Sequence, residues 1–128
     1  MIAHDCGFPL NPPAVDTQVV GGAYHPGVGA ALYCEFEMDK GLTLNPNLVD
    51  YKLPRAYEAP MTKVIHVITN DPFGPFGAKE ASEGSTCTAA PAVINAIHHA
   101  TGVWIKDLPA KPEKVFWALK EKREKGKK

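Results

Sequence analysis

The stretch GPFGAKEASEGSTC, residues 74–87, is where the residue types and their spacing can do chemistry. Gly74, Gly77 and Gly84 leave the backbone uncovered, Lys79 carries a positive charge, and Glu80 and Glu83 carry negative ones. The stretch feeds a helix, whose first N–H groups lack partners and sit at the positive end of the helix dipole, a combination that favours an anion such as phosphate. At the same helix start the dipole favours the ionised form of Glu83, which suits a general base. The spacing equally admits a structural reading, with Glu80 and Glu83 as first-turn acids, Ser82 or Ser85 as a cap and Lys79 in a surface ion pair. The pattern is neither a Walker phosphate loop, since the Gly-Lys-Ser/Thr ending is absent, nor a GxGxxG dinucleotide fingerprint.

Other polar residues are weaker candidates. Gln18, in DTQVVGG, lies on a segment expected to be buried, so it needs a hydrogen-bond partner, either within the core or on a ligand. His98 and His99 are adjacent on a helix, one facing out and one partly packed, while His4, His25 and His66 have no matching ligands at fixed spacing. Cys6, Cys34 and Cys87 form no CxxC pair and lie beside no histidine at zinc-ligand spacing, which supports neither a disulfide scaffold nor a metal site made by the protein alone.

The elements that must position these residues follow from periodicity. MIAHDCG reads as a strand running into the loop GFPLNPP, and Pro12 and Pro13 suit a helix start. Apolar residues at loosely helical intervals, Val15, Val19, Ala23, Val28 and Leu32, extend that helix over 14–36. It contains Gly21, Gly22, Gly27 and Gly29 with Pro26. Each interior glycine costs about 1 kcal/mol and the proline about 3 kcal/mol relative to alanine. Either the helix breaks near Pro26 or another backbone or a ligand comes very close, and both place the segment inside something large. Residues 39–60 read as an extended connection, and 61–69 (MTKVIHVIT) as a strand buried on both faces. The following loop NDPFGPFGAKEASEGS is long enough to be functional or disordered. AAPAVINAIHHA, residues 89–100, is a helix with Pro91 in its first turn and Gly102 as its stop. A last helix over 112–122 buries Val115, Phe116 and Leu119.

With 128 residues, 45% of them hydrophobic and 22% charged, the chain has the composition of one soluble domain, of α+β class. No stretch approaches the roughly 20 apolar residues needed to span a bilayer, and the N-terminus shows no leader pattern, so a cytoplasmic location without membrane insertion is expected. Residues 111–128 hold eight Lys or Arg against three Glu, a basic end that reads as a solvated helix end and frayed tail rather than a nucleic-acid contact, since no aromatic residue is interleaved in KEKREKGKK. Many glycines and prolines, with two strands that lack obvious partners, indicate part of a larger fold, not independently stable.

The ordered series HDCGFPLNP, DTQVVGG, GVGAALYCEF, DYKLP, DPFGPFGAKEASEG, PAVINAIHHATG and DLPAKPEKVFWAL resembles the C-terminal part of the molybdenum-binding large subunit of the xanthine oxidase family of molybdenum hydroxylases. The likeness covers residues 1–119, which it implies are the C-terminal segment of a molybdopterin-binding domain, leaving 120–128 as a basic tail. Within that family FGAKEASEG is most similar to hydroxybenzoyl-CoA reductase and its close relatives. The resemblance implies that Glu83 is the catalytic glutamate beside the molybdenum, that Lys79, Glu80, Ala81 and Ser82 run along the molybdopterin, and that Gln18 matches a glutamine near the cofactor, with Thr17 in place of the glycine that usually precedes it. It further implies a molybdopterin in its cytosine dinucleotide form, and partners comprising a longer molybdenum-binding subunit, an iron–sulfur subunit carrying 2Fe–2S and a flavin subunit carrying FAD. The expected protein is a small split subunit, inactive alone, that completes the cofactor site. Its expected reaction is reductive dehydroxylation of an aromatic thioester; the alternatives are hydroxylation of a purine, N-heterocycle or aldehyde, or a non-catalytic structural subunit.

Overall fold

The computed structural model describes residues 1–81 and 83–126. Strand β1 (Ile2–His4) pairs in parallel with β4 (Val64–His66), in the register Ile2 with Val64, Ala3 with Ile65 and His4 with His66. Helix α1 (Pro12–Gly22) begins where expected: Asn11 caps it by accepting from the Ala14 amide, and the two prolines occupy positions whose N–H groups have no helical partner. The chain then widens into a π-helical stretch, Ala23–Val28, before returning to α-geometry in α2 (Gly29–Leu32). That widening lets the chain carry Pro26 without ending the helix, since the missing N–H and the ring fall where the hydrogen-bond pattern has already shifted.

Helix α4 (Gly84–Thr101) packs along this continuous rod. A Cβ at Gly27 would stand 2.5 Å from the Ala89 Cβ, so this glycine is the close approach that the sequence pattern called for. The Thr86 hydroxyl donates to the Gly22 carbonyl at 3.0 Å and fixes the contact. Val19, Ala23 and Ala31 are buried along the rod. The end of α4 and helix α5 (Pro112–Lys125) enclose a second small core, with Val103, Ile105 and Ala110 between them and Ile94, Ile97, Val115, Ala118 and Leu119 around them.

Several elements differ from the sequence reading. Helix α4 starts at Gly84 rather than residue 89, so Pro91 lies inside the helix and not in its first turn; the Thr88 hydroxyl, donating to the Gly84 and Ser85 carbonyls, sits in the turn ahead of it. The connection over 39–60 is not simply extended. It contains the hairpin of β2 (Met38–Asp39) and β3 (Leu42–Thr43), turned by Lys40 and Gly41 at positive φ, and then the short α3 (Leu48–Tyr51) capped by Asn47. The strand over 61–69 shortens to β4, and Ile65, Val67 and Ile68 are exposed instead of buried on both faces. Phe116, expected in the α5 stripe, also faces out, and Ala118 takes its place against the core. Helix α5 continues to Lys125, three residues past its expected end.

The exposed residues have a common cause. The chain shows 9041 Å² of surface, whereas a compact protein of 13.8 kDa shows about 6,600 Å². The excess, roughly 2,400 Å², is of the order that one partner hides in an obligate interface. A parallel pair with both outer edges open is likewise an arrangement otherwise found inside covered sheets. No helix is long and apolar enough to cross a membrane among the described residues.

Candidate functional site

Strand β1 anchors the glycine-rich loop. Residues leaving β1 form a bridge with its far end: the Phe8 amide donates to the Gly77 carbonyl at 2.7 Å and the Lys79 amide to the Cys6 carbonyl at 2.7 Å. Gly7, at φ +68°, sits so close to the loop that a Cβ would lie 2.3 Å from the Gly77 oxygen. Asp71 closes the tip by accepting from the Phe73 and Gly74 amides, leaving Phe73 and Phe76 exposed at 97% and 86%.

Lys79 is engaged rather than free. Its ammonium donates to Asp5 Oδ2 at 2.8 Å, while Asp5 Oδ1 accepts from the Gly7 amide and the Thr69 hydroxyl. The Lys79 hydrogen bond, helped by those two donors, holds the Asp5 carboxyl down at about 2 from an ordinary 3.8, and the same contact raises the Lys79 pKa. The ion pair predicted as the structural alternative for Lys79 is therefore present, and it ties the loop to β1.

At the start of α4, Glu83 is the residue immediately before the first helical turn, exposed and making no side-chain cap. Its amide donates to Glu80 Oε2 at 3.4 Å; Glu80 and Glu83 both precede the first turn of α4, which itself holds no acidic residue, so neither is the first-turn acid of the structural reading. Ala81 is half-buried, and Ser82 lies outside the described residues. Behind Glu83, Ser85 is 2% exposed, and its hydroxyl has no hydrogen-bond partner among the described residues. His4 Nε2 lies 3.3 Å from the Glu80 carbonyl, and its ring faces Gly84.

Gln18 is on α1 and exposed in this chain, whose helix turns the face carrying Val19 and Gly22 inward. Its placement still matters. Gln18 stands one turn before Gly22, Glu83 stands one turn before Thr86, and Gly22 and Thr86 are hydrogen-bonded. Since Gly27 meets Ala89 further along both helices, the two run in the same sense, and Gln18 and Glu83 share one end of the helix pair.

Lys79 and Ala81 line a small hollow of about 230 Å³ with Cys6, Phe8, Leu10 and Ala78, between the loop and the start of α1. A larger, mostly apolar groove of about 880 Å³ runs between α2 and α5, lined by Leu32, Tyr33, Val115 and Phe116, and includes none of the candidate site residues. Among the described residues no three His, Cys, Asp or Glu side chains converge on a metal-ion position.

Sequence reasoning missed Asp5, His4, Asp16 and His66 as neighbours of the site. The signal was non-local: only the parallel pairing of MIAH with VIH brings His4 beside His66, and only the Gly7 bridge brings Asp5 to Lys79.

Comparison with known proteins is consistent with this geometry. Residues 1–60 match the family model described as a molybdopterin cofactor-binding domain. The chain is 38% identical over 115 residues to the xanthine dehydrogenase molybdenum-binding subunit of Escherichia coli O157:H7, a match covering 88% of this chain and 15% of that protein. The solved structure of the aldehyde oxidoreductase from Desulfovibrio gigas superposes with a TM-score of 0.84 at 39% identity, over 92% of this chain and 13% of that one. Quinoline 2-oxidoreductase from Pseudomonas putida 86 superposes with a TM-score of 0.83 at 29% identity, over 93% and 16%. The chain thus spans about 15% of the length of the curated relatives it matches.

Proposed function

We propose, from the support these likenesses give to a place in the molybdenum hydroxylase family, that the chain completes a molybdopterin site and supplies its catalytic carboxylate, Glu83. The observation that carries this reading is the position of Glu83: an exposed carboxylate at the start of an 18-residue helix, on the end of the helix pair that also bears Gln18. The first amides of α4 and the Ser85 hydroxyl, without a partner among the described residues, are donors suited to a phosphate-bearing ligand, and the glycine-rich loop offers bare backbone beside them. The residues present therefore fit the group.

In this reading Lys79, Glu80, Ala81 and Ser82, with Gln18 on α1, would hold the pterin, in its cytosine dinucleotide form. The bound cofactor supplies two-electron redox chemistry. Glu83, at the start of α4, would hold and move a proton at its carboxylate. Asp5 keeps Lys79 and the loop in place. The rest of the site comes from a longer molybdenum-binding chain, with iron–sulfur and flavin subunits completing the electron path in the cytoplasm; the excess exposed surface supports such an assembly.

The substrate reading is hydroxylation of a heterocycle or aldehyde, in keeping with the names of the relatives above. Reduction of an aromatic thioester is the second reading, favoured by the FGAKEASEG sequence of the loop. Replacing Glu83 by Gln in the assembled enzyme tests the proposal: turnover is lost while assembly and molybdenum content stay intact. Substantial remaining turnover would place the base elsewhere.

A further inference from the structure

We propose that His66 is a positioning residue that acts through Asp16 to set helix α1, and with it Gln18, against the start of α4. The inference rests on the cofactor-site reading above. His66 Nε2 lies 2.6 Å from Asp16 Oδ1, a side-chain link between the strand pair and α1, and the imidazole is largely buried while the carboxylate is half-exposed. At that distance the two atoms share one hydrogen bond, which the Nε2–H form of the ring donates to the carboxylate oxygen. Nδ1 is buried without a partner among the described residues, so among them the Asp16 contact is the one side-chain hydrogen bond that orients the ring.

The register of the sheet makes this contact consequential. His4 and His66 are lateral partners in a parallel pair, so their side chains rise from the same face. His4 meets the Glu80 carbonyl and Gly84 at the start of α4, and His66 meets Asp16 on α1, two residues before Gln18. The two sides of a single rung of this short sheet therefore carry the elements that bear Glu83 and Gln18. The sheet spacing fixes one side of that arrangement and the Gly22–Thr86 bond the other. Removing the imidazole frees the N-terminal end of α1 to pivot about that bond, which shifts Gln18 relative to Glu83. A shift on the ångström scale suffices to cost a site of this kind roughly ten- to a hundredfold.

The test uses the complete molybdenum enzyme containing this chain, purified as the assembled complex so that folding failures are removed by size-exclusion. In His66→Leu and Asp16→Leu, molybdenum per complex and kcat are expected to fall roughly tenfold or more while KM changes less than twofold. His66→Gln keeps a donor to Asp16 and is expected to restore both. The double Leu variant is expected to lose no more than either single variant, because both remove one contact. Full molybdenum content in His66→Leu, no restoration by Gln, or additive losses in the double variant would each overturn the proposal. Glu83→Gln in the same complex separates the two readings: wild-type turnover there defeats the catalytic role of Glu83 and leaves the molybdenum content of the His66 and Asp16 variants to decide the positioning role.

Discussion

Lys79 Nζ stands 2.8 Å from Asp5 Oδ2, a contact between residues 74 positions apart that joins the loop over 70–83 to the first strand. Because the folded carboxyl titrates near 2 and an unfolded one near 3.8, its contribution is fully present above 3.8 and is lost as pH falls toward 2. Pepsin acts in that range and prefers aromatic sites. Cleavage of the full chain at Phe73 and Phe76 is expected to accelerate between pH 4 and pH 2, and Asp5→Asn is expected to be cut rapidly already at pH 4. Equal cleavage of the two proteins at pH 4 would show that the pair does not hold the loop.

Two glycines on the same rod should respond in opposite directions. At Gly27 an added methyl meets Ala89 Cβ at 2.5 Å, so Gly27→Ala is expected to destabilise by about 1–3 kcal/mol. At Gly21 nothing lies within 4 Å, and Gly21→Ala is expected to stabilise by up to about 1 kcal/mol through helix propensity. Chemical denaturation midpoints of the two variants check the signs. If Gly21→Ala stabilises the chain and yet blocks assembly, its open face is a contact in the complex.

Much of this arrangement was legible in the sequence where the signal was local. The glycine and proline content of 21–29 announced an abnormal helix in close contact, and the structure answers with a π-helical stretch and a glycine set against Ala89. The start of α4 was misread because Pro91 resembles a helix-opening proline, whereas GSTCT ahead of it forms helix with the Thr88 hydroxyl bonded back to Gly84 and Ser85. Which face of α1 Gln18 occupies was not legible, because glycines and small residues on both sides of the helix blur its periodicity. The contacts of Asp5, His4 and His66 depend on pairing across some sixty residues or more, which no local pattern encodes.

The basic end has a structural share as well. Lys122 Nζ donates to the Thr101 carbonyl at 2.9 Å and covers Gly102, which ends α4 in a left-handed conformation. Lys122→Met is expected to lower stability by about 0.3–1 kcal/mol through loss of this favourable charge at the helix terminus. Denaturant unfolding measures it, and an unchanged midpoint would show that the contact contributes nothing.

The open edges of the β1–β4 pair also bear on the life of the chain in a cell. Unpaired strand edges flanked by Val67 and Ile68, with Phe73 and Phe76 on a nearby loop, are features that chaperones and proteases recognise and that self-associate when crowded. Copies whose surface stays uncovered are therefore expected to be held, cleared or precipitated.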